Sequence, residues 1–395
     1  MSTDIYSRTL LELLGAKDND LCLCRSGKKY KDCHKLILER TEVNRTRLFY
    51  ELLKLKGKKQ CFFQGVSACS GDIVNAHSVS KKYLERITDD TGHVLTFLRS
   101  ISLPAMDDLH LRAQYPEPVR VGINNASTFP GLCRKHDNDL FACFETRKFT
   151  CDLEQIKALH LRSVLHEVHT STESQHTMER LRPAIRSTRD PVLATERNVT
   201  HAIRSLGRNL ALRDLYLELA QIKKLILQPE SFDFNYLVFE VEGMCPVLVS
   251  VIANPAFDIR GELIQDFNDE ELVTRSFSFT VIAEPDHYYY VFSWIDSQPI
   301  NHFFTALENA YGADIRIILI QLCFAYSENS YMRPSWYDSL SLLKKQRLKK
   351  LYWSEVRSGD DSGRETGQQL RRHVSFAETK ISNVFTNTNL TWVSA

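Results

Sequence analysis

The chain has 395 residues, 43% hydrophobic and 25% charged, the proportions of an ordinary globular protein long enough for two or three domains. Its 50 Lys and Arg balance 49 Asp and Glu, so a net charge of +1 sets up no global field toward nucleic acid or membrane, and any basic surface must be local. No stretch reaches the apolar length of a membrane span, and the polar N-terminus, with Asp4 and Arg8, lacks a signal-peptide pattern. All but two of the ten cysteines fall within the first 151 residues, close to histidines. That distribution reads as metal ligation in a reducing cytoplasm rather than as disulfides.

Residues 1–20 are expected to form a short helix with Leu10, Leu11, Leu13 and Leu14 on its apolar face, ending near Gly15. Cys22, Cys24, Cys33 and His34 then follow within one short peptide, and a turn at Ser26-Gly27 would bring the two pairs onto one tetrahedral zinc. So small a unit has no core, and metal binding would supply its folding free energy. The stretch resembles the SEC-C motif, known from the tail of the bacterial preprotein-translocase motor and from many other bacterial proteins. It departs at Arg25, where the family usually has Gly. The family uses the motif as a small interaction surface. Here Lys28, Lys29, Lys31 and Lys35 make it basic, suited to RNA, the ribosome or an acidic protein partner, or to no partner at all as a solvated knuckle. Residues 36–59 read as an amphipathic helix ending in a basic run through Lys54, Lys56, Lys58 and Lys59.

Residues 61–150 are the central module. Asp72 to His77 is a candidate strand, Ser80 caps a helix over 81–87, His93 to Leu95 is a second strand, and a helix starts near Arg134. Cys61, Cys69, Cys133 and His136 make a two-plus-two zinc set, one pair in a loop before the first strand and the other at the start of the helix. The arrangement resembles a treble-clef zinc module, in particular the HNH (ββα-metal) nucleases. In that family a His at the end of the first strand activates water, a central Asn orients it, and a helix residue holds a divalent metal against the scissile phosphate. The resemblance implies His77 for the first role, Asn124 or Asn125 for the second, and Asp137 or Asn138 for the third. The residue before the active His is commonly acidic or His in the family; here it is Ala76. Strand alternation would place Asn75 on the face of His77, as a substitute ligand for Mg²⁺ or Mn²⁺. His77 read from the residues alone can also replace Cys61 or Cys69 at the zinc, or be a satisfied core histidine. The wider string from Ala76-His77-Ser78 to Phe129-Pro130-Gly131-Leu132-Cys133, with Glu145, resembles a family of uncharacterised bacterial zinc proteins. Cys143 and Cys151 read as buried thiols.

Residues 152–229 are expected to be helical, with Pro183 as a boundary. Strands are expected at 236–241, 246–252, 275–283 and 288–294, followed by helical segments over 301–310 and 315–324. The run from Glu328 to Tyr337 is similar to the same zinc-protein family, and reads as a pocket of Tyr, Trp and Asn or as a helix entry anchored by Trp336. A basic helix over 338–357 and a polar, flexible tail complete the chain. The expected fold is α+β and multidomain: a zinc knuckle (1–35), a treble-clef module (36–151), a helical region (152–229), an antiparallel β-rich domain (230–357) and a tail (358–395). Two functions follow. One is a metal-dependent nuclease on DNA or RNA, with His77 as base, Asp137 as metal ligand helped by Asn75 and Asn125, and two structural zincs; joined to a sensing domain, it would fit bacterial defence against phage. The other is a non-catalytic zinc protein that docks on nucleic acid, ribosome or protein.

Overall fold

The computed structural model describes residues 59–64, 68–97, 117–186, 191–227, 233–311, 315–354, 380–388 and 390, together with 19, 29 and 32. The expected knuckle ligands Cys22, Cys24, Cys33 and His34, the lead-in helix and the basic helix over 36–58 lie outside them. The chain divides into two compact units. The smaller comprises Met1–Lys58, Ile101–Met106 and Thr172–Asn209, and its described part is mainly helical. The larger comprises Lys59–Ser100, Asp107–Ser171 and Leu210–Ala395 and holds both sheets.

In chain order the elements are β1 (Ile73–His77), α1 (Lys81–Leu84), β2 (His93–Thr96), β3 (Val119–Gly122), β4 (Thr128–Cys133), α2 (Arg134–Glu145), α3 (Leu153–Arg186) and α4 (Pro191–Leu227). There follow β5 (Phe234–Glu242), β6 (Val247–Ala253), β7 (Phe277–Ala283), β8 (His287–Ile295), α5 (Gln298–Tyr311), α6 (Arg316–Ala325), β9 (Ser330–Met332), α7 (Pro334–Ser339), α8 (Leu342–Ser354) and β10 (Ile381–Thr386). The fold is α+β, with antiparallel sheets. A two-stranded sheet pairs β1 with β4, and an eight-stranded sheet runs β10-β5-β8-β7-β6-β9-β2-β3.

Every residue of β6 and β7 is buried, because helices cover both faces. Alternation sorts the side chains. Phe277 stacks on Phe303, and Trp294 and Phe292 meet Phe304, which seats α5 on one face. Ser278, Thr280 and Ser293 point to the other face, where Ser163 and His160 of α3 reach them. Small hydroxyls there let the helix backbone come close while satisfying one another. His160 is completely buried and also bonds Glu218 of α4 at 3.0 Å, which gives its second nitrogen a partner.

Short β9 joins the larger pieces. It pairs with β6 (Val247↔Met332, Leu248↔Tyr331, Val249↔Ser330) and with β2 (Leu95↔Met332). The hairpin β2–β3 is therefore part of the same sheet as β5 to β8, across the boundaries drawn from sequence. Two expectations change. Helix α3 runs past Pro183, the expected boundary, and ends at Arg186. The stretch expected to be a flexible tail supplies the edge strand β10, paired along β5 from Val241↔Ile381 to Leu237↔Thr386. Among the described residues, no helix is long and apolar enough to cross a membrane.

Candidate metal centre

The centre is built by a turn, a strand end and a helix start. Gln64 donates its N–H to the Cys61 carbonyl at 3.2 Å, turning the chain at the first cysteine. Phe62 donates to the Gly131 carbonyl at 3.0 Å and Arg134 to the Asp72 carbonyl at 2.9 Å, so the cysteine loop is stitched to both ends of the β4–α2 junction. The pairing of β1 with β4 slips at this place: Val74 faces Leu132 but Ala76 faces Phe129, so Pro130 and Gly131 together oppose Asn75. A proline that cannot donate to a ladder suits such a bulge. A Cβ on Gly131 would stand 2.6 Å from the ring of buried Phe129, so only glycine lets Phe62 come in beside it.

The Sγ atoms of Cys61, Cys69 and Cys133 lie 3.2, 3.6 and 3.3 Å from His136 Nδ1. All four donor atoms fall within 4.8 Å of one another. A tetrahedral zinc with its usual bonds to sulfur and nitrogen sets S···N edges of about 3.5 Å. The quartet thus has the donors and spacing to hold a metal ion. Cys61, Cys133 and His136 are buried and Cys69 is exposed. Burial raises the Cys133 thiol, but the N–H groups of His136 and Ser70 and the Ser70 hydroxyl outweigh it and bring it down to about 6, which favours the ligating thiolate. Lys223 of α4 bonds the Phe62 carbonyl and lies 5.2 Å over the Phe63 ring, whose edge meets His136. Burial lowers its ammonium, and the field of Cys61 opposes that lowering.

His77 is not one of the four. Its Nε2–H donates to the Ile123 carbonyl at 3.1 Å, which fixes the tautomer and leaves Nδ1 with its lone pair. Burial holds this imidazole below its ordinary value, the Ile123 bond opposes, and Arg162 adds to the lowering. The carbonyl that orients His77 thus comes from Ile123 rather than from Asn124 or Asn125. Asn125 is exposed, donating its N–H to Gly122 and accepting from Thr128. Asn75 is exposed opposite the bulge, so simple alternation does not assign its face. Asn138 is exposed as well.

Asp137 is half-buried, and its Oδ1 is buried without a hydrogen-bond partner. Burial raises its carboxyl, against the pull of Arg162 and His77. Two helical turns on, Glu145 accepts from Ser80 Oγ at 2.6 Å and from Arg162 Nη1 at 2.5 Å. Arg162 also lies 4.0 Å over the Phe141 ring. Burial would raise Glu145, but Arg162, Ser80 and Lys82 hold it below the ordinary carboxylate range. Lys82 itself donates to the Phe144 and Arg147 carbonyls, a cation on the last turn of α2.

Arg162 and Ser70 were missed at the level of sequence. A lone arginine inside the apolar run from Leu159 to Leu165 was the available signal for the first. His93 is held in its own turn by Thr91, Cys143 is buried and Cys151 partly so. His166 and His169 of α3 flank Phe129 at 5.3 and 5.9 Å and join no metal set among the described residues. A second grouping of possible donors, Asp258, Glu262 and His302, already surrounds the Arg260 guanidinium, 3.1 Å from each of the two carboxylates.

A family model described as the SEC-C motif matches residues 19–35, the segment that contains Cys22, Cys24, Cys33 and His34. No curated protein and no solved structure matches the chain.

Proposed function

We propose that the chain is a zinc protein whose ββα module, β1, β4 and α2, is an HNH-like nuclease acting on DNA or RNA. Zinc at Cys61, Cys69, Cys133 and His136 would be structural, since four protein donors leave no open position. A second zinc would sit in the SEC-C segment. The observation that carries the catalytic reading is the state of His77: outside the quartet, half-buried, with Nε2–H committed to Ile123 and Nδ1 free to take a proton. A lowered imidazole is neutral near pH 7, as a general base must be. Asp137, with one buried oxygen lacking a partner, would hold a divalent cation such as Mg²⁺ or Mn²⁺. That cation would offset charge developing on the phosphate. His77 would accept the proton of the attacking water at Nδ1, while Arg162 and Glu145 fix the helix that presents Asp137.

The test is cleavage of DNA and RNA with Mg²⁺ or Mn²⁺ by the full chain and by His77→Ala. Loss of a general base lowers the rate about 10²- to 10⁴-fold. Equal cleavage by both proteins contradicts the reading. One observation favours a non-catalytic role, as a zinc-scaffolded protein that docks on nucleic acid, ribosome or protein. Ala76, beside His77, is packed in the core and offers no ligand. Under that reading the full chain binds without cutting.

A further inference from the structure

Ser78 follows His77 directly and is buried. Its N–H donates to the Ser127 carbonyl at 2.7 Å, and its Oγ lies 2.6 Å from Ser127 Oγ. Val79 N–H donates to the same Ser127 hydroxyl at 2.5 Å. Ser127 has φ +63°, a left-handed conformation that a non-glycine residue keeps only when its surroundings impose it. It ends the short loop that begins with Ile123, the residue whose carbonyl holds the His77 ring. The geometry of the histidine and the strain at Ser127 are therefore parts of one loop.

What imposes that loop comes from far along the chain. Asn329, buried just before β9, donates from Nδ2 to Ser78 Oγ at 2.8 Å and to the Ser250 carbonyl of β6 at 2.8 Å. Its Oδ1 accepts from the Tyr331 hydroxyl at 3.0 Å. The bonds form a chain: Tyr331 to Asn329, Asn329 to Ser78, and Ser78 to Ser127. Each side-chain group in it has a partner, as a buried polar network must. Leucine or alanine at 329 would remove the acceptor of the Tyr331 hydroxyl and the donor that Ser78 Oγ and the Ser250 carbonyl share.

We infer that Asn329 is a positioning residue for His77, fixing the Ser78–Ser127 loop so that the Ile123 carbonyl meets the imidazole, and thereby tying the β6–β9 pair of the large sheet to the module that carries the histidine. The catalytic consequence rests on the reading of His77 as a base; the positioning does not.

The test reads His77 without turnover. ¹⁵N NMR of the imidazole in the full chain, without divalent cation, gives its tautomer and titration midpoint. Asn329→Ala and Ser78→Ala each move the midpoint down by about half a pH unit as the Ile123 bond loosens. The double variant moves it no further, because the two residues act through one contact. Tyr331→Phe keeps the packing, removes only the hydroxyl and shifts the midpoint the same way by less. Ser250→Ala removes a hydroxyl bonded to Ser163 but keeps the carbonyl that Asn329 uses, and leaves His77 unmoved. Additive shifts, or a Tyr331→Phe chain with the wild-type midpoint and tautomer, overturn the inference; Tyr331→Phe decides it alone where the alanine variants do not fold. A full chain that cuts no nucleic acid yet shows the coupled shifts sinks the nuclease reading and keeps the positioning role. One that cuts while Asn329→Ala leaves His77 unchanged does the reverse.

Discussion

Helix α2 presents two different faces. On one, His136 and the adjacent Cys133 meet Cys61 and Cys69, so four donor atoms close on one another. On the other, Asp137 keeps an unpartnered oxygen, and the nearby charge is only partly compensated by Arg162. Closed donor sets hold folds together, and sets left open do chemistry. On the proposed reading the first face is a staple and the second a workplace, a single residue apart in sequence.

Cys133→Ser is the strongest way to break this comparison. It removes a donor from a set that stitches a loop, a strand and a helix, and metal binding at structural sites is worth several kcal/mol of folding or more. The variant is expected to lose that metal, read by elemental analysis, and the cooperative melting of the module with it. A stable module with unchanged metal content would contradict the staple. Gly131→Ala is the next largest: the added Cβ must displace Phe129 or Phe62, for about 1–3 kcal/mol measured from the denaturant midpoint. An unchanged midpoint would mean that the bulge has slack.

Acid sharpens the comparison more gently. His166, enclosed between Phe129 and His169 although part of the residue reaches the surface, is brought down to about 4 by burial and then by His169. His77 is lowered from 6.5 too. Unfolded histidines bind protons that these folded ones refuse, so their contribution is complete above 6.5 and is lost as the pH falls toward the folded values. Glu145 acts in the same direction at lower pH, below its ordinary 4.5, whereas Asp137, raised from 3.8, opposes it. Stability should therefore fall between pH 6.5 and 4, and His166→Gln should flatten that slope. The same slope in the variant would place the effect elsewhere.

The convergence of Cys61, Cys69, Cys133 and His136 was legible in the sequence because cysteines and histidines are scarce and their spacing is distinctive. The strands β5 to β8 were legible from runs of Val, Phe and Tyr, and their observed limits differ from the expected ones by a residue or two. Three features were not. The strand β10 is built of Ile381-Ser-Asn-Val-Phe-Thr, whose polar half reads as tail until β5 offers an edge. The bulge opposite Asn75 has its only sequence signal in Pro130-Gly131 on the partner strand, outside the strand whose alternation it breaks. Asn329 carries no periodicity; the pairing of β9 with β6 brings Ser250 to it, and Ser78 reaches it from the end of β1. The roles that need a long-range hydrogen bond, including the Ile123 carbonyl, are set by topology and leave no mark on local residue types.

The most direct measurement takes His77→Ala and wild type side by side, with bound zinc, melting and nucleic-acid cleavage read on the same preparations. Two separate faces predict wild-type zinc content and cooperative melting in the variant, with cleavage reduced about 10²-fold or more. Zinc lost together with cleavage would place His77 in the staple, and cleavage retained would remove it from the chemistry.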